Sequence, residues 1–357
     1  MGLIRVLLAI SVFMDHVRGS SMIDLLSGWG GHNAVEVFFF ISGFYIALIL
    51  DINYKTYKSF LMNRCLRLFP IYYAIIFLVV VRAVLVPSLG KSIISYPLGA
   101  LMIGSLSNLA ILGSDWLCLI KWPINTGYLL DSRNSGFQMS DMLLIQPSWS
   151  LGIELTFYLI APFICRTKFR VICAFCILLF TIRFISYYLG LNQDPWTYRF
   201  FPFELPVFLL GVLLYKAKEF LGISLRIPTK YLYLSVVTCY LGFPYAREIL
   251  LTNRFTQVLC LLLLSSVCMI WGKDNEQDRK LGDLSYPIYM SHMFVVSTYG
   301  NVAEYFMRKY SFTINLQEPI VTAALSLLGT VLLSMFLLRL VRPIDKIRDR
   351  IRVGQVN

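Results

Sequence analysis

The chain has 357 residues, of which 57% are hydrophobic and only 15% are charged, and its net charge is +12. The charged fraction lies well below the quarter or so that is typical of soluble domains, which excludes an ordinary soluble globular fold. In a membrane protein a basic excess belongs to the cytoplasmic loops, so we expect no nucleic-acid partner.

Apolar runs recur along the whole chain, and a run of about 20 residues spans the hydrocarbon core of a bilayer as a helix. The mean hydropathy of +0.68 agrees with this pattern. The sequence therefore predicts an all-α, polytopic integral membrane protein with about ten transmembrane helices. The predicted spans lie near residues 3–20, 33–50, 69–86, 147–164, 171–190, 203–216, 231–246, 255–271, 284–300 and 319–341.

Basic residues set the predicted orientation, because lysine and arginine collect on the cytoplasmic side. With ten spans the basic clusters all fall on one side, which puts both termini in the cytoplasm. We expect a transmembrane domain over residues 1–345 and a basic cytoplasmic tail at 346–357. Residues 91–146 are predicted to form an extracytoplasmic excursion with a re-entrant or surface helix. The basic clusters lie at 55–67, at 166–170, at 216–218 and after residue 342.

The first span contains Arg5 and His16. The apolar region of a cleavable signal peptide would not contain such residues, so this segment is predicted to be a membrane helix. Eleven residues separate them, so at 100° per residue both project from one helix face, about 16.5 Å apart along the axis. An imidazole can take or give a proton near neutral pH. Ionisable groups in a membrane helix are functional candidates, although a lone histidine there also often only hydrogen-bonds a neighbouring helix.

The second span predicts a polar face on which Asn33, Glu36, Phe40 and Gly43 recur at helical spacing. Glu36 is a second ionisable group in a span. The Ser42-Gly43 pair lets another helix or a thin ligand approach closely, and a simple packing seam is the alternative interpretation.

Arg64 and Arg67 lie one turn apart on one face, just before Pro70, which is predicted to open the third span. Two guanidiniums at the cytoplasmic interface suit a phosphate-bearing ligand. Taken alone, the pair is better explained by positive-inside anchoring or by lipid head groups.

Two further segments carry polar residues in predicted spans. Glu154 and Tyr158 share a face of 148-SWSLGIELTFYLIAP-162, where the carboxylate can orient a histidine, receive a sugar hydroxyl or pair with an arginine. Tyr289 and His292 share a face of the ninth span.

The eight cysteines predict neither a disulfide framework nor a metal site. Cys173 and Cys176 form a CxxC, but no second pair of ligands is near in sequence to complete a zinc site.

Together these stretches resemble the acyltransferase-3 family of bacterial membrane O-acyltransferases, which includes O-antigen and exopolysaccharide O-acetylases. The family has an Arg-x10-His pattern in its first helix, which Arg5 and His16 match. The later motifs follow in the family's order and are 39-FFISGF-44, 64-RCLRLFP-70, 149-WSLGIE-154 and 285-SYPIYMSH-292.

The chain departs from the family pattern in two ways. Members usually have a short polar lead before the arginine, whereas only residues 1–4 precede Arg5 here. Some members also carry an extracytoplasmic hydrolase-like domain, so we expect this chain to complete transfer alone or with a separate partner.

The resemblance implies an acyl-CoA donor, most often acetyl-CoA, a carbohydrate acceptor, and a multi-pass location in a bacterial inner membrane, without a permanently bound cofactor. It implies that His16 is the general base, with Glu36 or Glu154 fixing its tautomer; a covalent acyl-histidine relay stays an alternative. The acyl-CoA would contact Arg5, Ser42, Gly43, Arg64 and Arg67, with its slender arm passing Ser42-Gly43 toward His16. Acceptor-side or secondary roles would fall to Trp149, Tyr158, Tyr289 and His292.

Two other classes of function fit the same sequence. Intramembrane histidine and glutamate also serve proton relays in transporters, so a flippase for an envelope glycan intermediate fits the same residues. Transporters often show internal repeats, and none is evident here. A structural or sensory membrane subunit would tolerate apolar residues at the same positions.

Overall fold

The computed structural model describes residues 1–17, 27–54, 56–86, 96–122, 137–222, 227–249, 253–271, 275–310 and 315–352. In these residues the chain forms twelve α-helices, two short 3-10 helices (Trp116–Cys118 and Met139–Met142) and a small antiparallel pairing of β1 (Lys121–Trp122) with β2 (Phe137–Gln138). The helices are α1 (Gly2–His16), α2 (Gly31–Ile52), α3 (Tyr57–Leu85), α4 (Leu98–Ala110), α5 (Ser148–Cys165), α6 (Phe169–Tyr188), α7 (Phe201–Leu221), α8 (Thr229–Ile249), α9 (Arg254–Trp271), α10 (Glu276–Asp283), α11 (Ser285–Lys309) and α12 (Pro319–Arg352).

The helices support the all-α membrane class. Each predicted span overlaps a helix in the described residues, and six of these helices (α2, α3, α5, α6, α9 and α12) have the length and apolar composition needed to cross a membrane. The number of about ten crossings and the cytoplasmic location of both termini stay predictions. Parts of the predicted features lie outside the described residues, namely 18–20 of the first span, Lys55, 91–95 and 123–136 of the excursion, and 353–357 of the tail.

Helix α3 begins much earlier than the sequence predicts. A span from residue 69 is expected, yet the helix starts at Tyr57, because the hydroxyl of Thr56 accepts the backbone N–H of Ser59 at 3.2 Å and caps the first turn. Pro70 lies inside this helix rather than at its start. Arg64 therefore lies on a continuous helix.

The chain divides into two compact units, which are described separately. The first unit comprises residues 1–41 and 217–343, and the second comprises 42–216 and 344–357. Helices α2, α7 and α12 each contribute residues to both units.

In the first unit α1 packs most extensively against α10 and α11. The approach of α1 to α10 is close enough to require a glycine, because a Cβ on Gly2 would lie 1.6 Å from the carbonyl oxygen of Asp278. Phe13 and Met14 of the same helix join a buried cluster with Ala323 of α12. These contacts set the position of α1, which carries His16.

In the second unit α2 packs against α7 with little space between the backbones. A Cβ on Gly43 would lie 2.1 Å from the carbonyl oxygen of Phe208. The Phe208 ring in turn stacks on Phe157 of α5, with 4.3 Å between ring centroids. This packing favours the seam interpretation of Gly43 over a groove for a ligand.

Candidate active site

Two histidine rings face each other in the first unit. His16 is the last residue of α1 and is exposed, whereas His292 of α11 is fully buried. Their ring centroids lie 5.0 Å apart, with 60° between the ring planes. The described helix therefore presents His16 at its end.

Both rings have the same tautomer, which we assign from their hydrogen-bond acceptors. Nδ1 of His16 lies 2.8 Å from the carbonyl oxygen of Val12, and Nδ1 of His292 lies 2.6 Å from that of Tyr289. A carbonyl oxygen can only accept, so Nδ1 donates in each case and the neutral ring carries its lone pair on Nε2. Within the described part of the chain, Nε2 of His292 is buried and has no hydrogen-bond partner.

The tautomer of His16 corrects one expectation. The sequence predicts that Glu36 or Glu154 fixes the imidazole, but the backbone carbonyl of Val12 does so, and no carboxylate among the described residues hydrogen-bonds His16. The reason is local, since a helical histidine can bond the carbonyl one turn before it without help from another segment.

Aromatic side chains surround the buried imidazole. The rings of Phe13 and Tyr289 lie 6.5 Å and 6.1 Å from His292, and Phe38 packs edge-on against Tyr289 at 5.9 Å. His292 is therefore enclosed by aromatic rings beside the exposed ring of His16.

Asp278 of α10 holds the other end of α1. Its carboxylate accepts the backbone N–H groups of Gly2 at 2.6 Å and Leu3 at 3.0 Å, and the hydroxyl of Tyr233 at 2.7 Å. The ammonium of Met1 pairs with the same group. Burial alone would raise the pKa of Asp278, but these hydrogen bonds outweigh it and lower the pKa to about 2.

Sequence reasoning missed Asp278, and it could hardly have found it. An aspartate in a polar segment between two spans looks solvent-exposed, and backbone N–H groups at a helix N-terminus leave no mark in side-chain patterns. Arg5, one turn further along α1, borders the same region, since a Cβ on Gly282 would lie 3.5 Å from its Nη1.

The predicted polar face of α2 meets α9. Glu36 is buried and forms an ion pair with Arg254 at 3.5 Å. One turn earlier, the side-chain amide of Asn33 donates to Gln257 at 2.9 Å and to the carbonyl oxygen of Trp29 at 3.0 Å. The sequence predicted the shared face but not these partners.

In the second unit Glu154 joins α2 to α5. Its carboxylate accepts the hydroxyl of Ser42 at 3.0 Å and the hydroxyl of Tyr158, one turn away on α5. The face shared by Glu154 and Tyr158 in the sequence is thus a hydrogen-bonded pair.

Trp149 of α5 lies in an aromatic and cationic cluster. Its ring packs edge-on against Tyr198 at 5.2 Å, and the guanidinium of Arg199 lies 5.0 Å from both ring centres. Arg199 also pairs with Asp194 at 3.0 Å. Indole and guanidinium planes of this kind suit a polar acceptor, and they also suit a membrane interface.

Arg64 of α3 is buried at 7% exposure, and one of its terminal nitrogens donates to the side chain of Asn63 at 3.0 Å. Arg67, one turn along, is half-buried and close enough to repel it electrostatically. The phenol groups of Tyr54 and Tyr158 also lie near Arg64. A buried cation beside a second cation is costly unless an anion joins them.

The candidate residues thus divide between the units. Arg5, His16, Glu36, Tyr289 and His292 belong to the first unit. The second unit contains Ser42, Gly43, Arg64, Arg67, Trp149, Glu154 and Tyr158. In the part of the chain that the structure describes, no cluster of three or more histidine, cysteine or acidic residues could hold a metal ion.

Comparison with known proteins gives one match. A family model described as an acyltransferase domain matches residues 1–339, a segment that includes every candidate residue named above. No curated protein and no solved structure matches the chain significantly.

Proposed function

The chain belongs to the acyltransferase-3 family and is a membrane acyltransferase, and we propose that it moves an acetyl or other short acyl group from cytoplasmic acyl-CoA to a hydroxyl of an envelope or secreted carbohydrate. The acceptor class and the location in a bacterial inner membrane follow from the family resemblance. The assignments of the acyl-CoA donor and of the general base are also supported by residues of this chain.

The observation that carries the proposal is the tautomer of His16. Because Nδ1 donates to the carbonyl of Val12, the exposed ring keeps its lone pair on Nε2, the nitrogen that points away from its own helix. A base of this kind can remove the proton of an incoming hydroxyl at neutral pH.

In the proposed reaction the hydroxyl oxygen attacks the thioester carbonyl while Nε2 of His16 takes its proton. The tetrahedral intermediate then expels the CoA thiolate, which receives that proton from the imidazolium. An ester and free CoA are the products, and the ring returns to its neutral tautomer. In the competing route Nε2 attacks the thioester itself and the hydroxyl later attacks the acyl-imidazole.

His292 supports this chemistry as a buried neighbour. Its Nε2 offers a second lone pair beside the ring that takes the proton. We propose that His292 positions His16, and that it does not touch the substrate.

Arg64 and Arg67 support the donor assignment. Guanidiniums bind phosphate oxygens through charge-assisted, often bidentate hydrogen bonds, and acyl-CoA carries several phosphate groups. Binding of such an anion would offset the repulsion between the two arginines. We retain Ser42 and Glu154 as candidate contacts of the acyl-CoA or acceptor.

Labelled acetyl transfer tests the proposal directly. Purified protein in lipid nanodiscs would receive acetyl-CoA labelled in its acetyl group, together with envelope polysaccharide that lacks O-acetyl groups. We expect label in the polysaccharide as an alkali-labile ester, with release of free CoA. Label that stays in acetyl-CoA at the rate seen without protein would contradict the proposal.

A further inference from the structure

The C-terminal part of α12 packs against α3 in the second unit. The side-chain amide of Asn63 donates to the backbone carbonyl of Arg348 at 2.8 Å, and Asn63 is 2% exposed. Ile351, one turn further on, is also buried. The sequence predicts a basic tail over residues 346–357, yet its described part, 346–352, is helical and attached.

Asn63 also connects this segment to the buried arginine of α3. Its Oδ1 accepts from Arg64 at 3.0 Å while its Nδ2 donates to the Arg348 carbonyl. One side chain therefore fixes the position of Arg64 relative to the backbone of α12. Asn63 therefore links the side chain of Arg64 to the backbone of Arg348 through two hydrogen bonds.

Arg67 follows Arg64 by one turn of α3, and it is close enough to Arg64 and to Arg348 for their charges to interact. These three residues form the arginine cluster. Asp345 pairs with Arg348, and it is the one carboxylate within salt-bridge range of the three among the residues the structure describes. The cluster therefore has a net positive charge in a largely buried place.

Two of the donors have no acceptor. Nε of Arg64 and Nε of Arg348 are buried and make no hydrogen bond within the described ranges. Buried N–H groups of charged side chains are costly to leave unpaired. A phosphate would satisfy both the charge and the donors, because each of its oxygens accepts several hydrogen bonds.

We propose that Arg348 completes a three-arginine phosphate site with Arg64 and Arg67, and that this site binds the phosphates of the acyl-CoA donor. The identity of the anion rests on the proposed function. Arg348 lies beyond residues 1–339, so family membership does not predict its role. A phospholipid head group offers the same phosphate chemistry, and the experiment must separate the two sources.

Binding of acetyl-CoA by calorimetry tests this proposal. The protein would be measured in nanodiscs of zwitterionic phosphatidylcholine and, in parallel, with added anionic phosphatidylglycerol. We expect Arg348→Ala to weaken acetyl-CoA binding about tenfold or more in both lipids, as for loss of one charged hydrogen-bonding partner. Arg350→Ala is the matched control, since Arg350 lies on the same helix and is exposed; it should bind acetyl-CoA as the wild type does.

Asp345→Asn separates ligand binding from a structural role. Removing the carboxylate frees Arg348 for the phosphate, so we expect tighter acetyl-CoA binding in this variant. If Arg348 only held α12 in place, Asp345→Asn and Arg348→Ala would both weaken binding, and that result would overturn the proposal. A loss of folded protein would weaken binding in both variants, so tighter binding in Asp345→Asn and weaker binding in Arg348→Ala cannot both result from misfolding.

The remaining outcomes are also decisive. If Arg348→Ala binds acetyl-CoA with wild-type affinity, the role of Arg348 is overturned. The same holds if the variant loses only its binding of phosphatidylglycerol. Either result leaves the proposed reaction intact. A wild-type protein that binds no acetyl-CoA overturns both. The double variant Arg64→Ala, Arg67→Ala sets the reference for complete loss of the phosphate site.

Discussion

The imidazoles of His16 and His292 lie 5.0 Å apart, and one is exposed while the other is fully buried. Both donate from Nδ1 to a backbone carbonyl of their own helix, so each presents a basic Nε2. The difference in burial gives them different chemistry. The exposed ring can meet a substrate, whereas the buried ring is shielded from it.

His292→Asn tests the role of the buried ring. Asparagine can keep a donor for the carbonyl of Tyr289, but it removes the second imidazole. We expect a fall in kcat smaller than the 10²–10⁴-fold typical of a lost general base, with little change in KM for acetyl-CoA. Steady-state kinetics of purified protein measures both. A loss of kcat as large as that of a His16 variant would make His292 the base instead.

Asp278→Asn tests how α1 is held. The folded pKa of about 2 lies below the ordinary value of 3.8, so the carboxylate contributes stability that is present above pH 4 and is lost as the pH falls through 2. The shift corresponds to about 2 kcal/mol. We expect a lower Tm at pH 7 and a flatter Tm between pH 4 and 2 than in the wild type.

Asp283→Asn is the matched control for that measurement, because Asp283 lies on the same helix and is exposed. It should follow the wild-type Tm at every pH. Equal behaviour of the two variants would show that the carboxylate of Asp278 does not anchor α1.

Gly43→Ala distinguishes a packing seam from a ligand groove. A Cβ there would meet the backbone carbonyl of Phe208 at 2.1 Å, and backbone cannot move aside as a side chain does. We expect a clear loss of thermal stability, of the 1–3 kcal/mol typical of overpacking. Differential scanning fluorimetry checks it. Normal stability with weaker acetyl-CoA binding would restore the groove interpretation.

Much of the fold could be predicted because the hydrophobic signal is strong. Runs of about 20 apolar residues give the position of a membrane helix without any tertiary information. The start of α3 could not be found in this way, since Lys58, Asn63 and Arg64 interrupt the apolar pattern while the cap at Thr56 extends the helix through them.

The candidate site was only partly predictable for a similar reason. Helical periodicity alone places Glu154 and Tyr158 on one face, and the structure joins them by a hydrogen bond. The contact between His16 and His292 depends on packing between segments far apart in sequence. The bond from Asn63 to Arg348 is of the same kind, and it involves a backbone carbonyl that no side-chain pattern reveals.

The most direct test of the account compares acetyl transfer by His16→Ala and His32→Ala in matched nanodisc preparations. His32 is the chain's other exposed histidine among the described residues, so it controls for loss of an imidazole as such. We predict that His16→Ala lowers the transfer rate by about 10²–10⁴-fold at unchanged protein yield and Tm, while His32→Ala keeps the wild-type rate. Transfer by His16→Ala at a rate close to that of the wild type would contradict the central claim that this imidazole removes the acceptor proton.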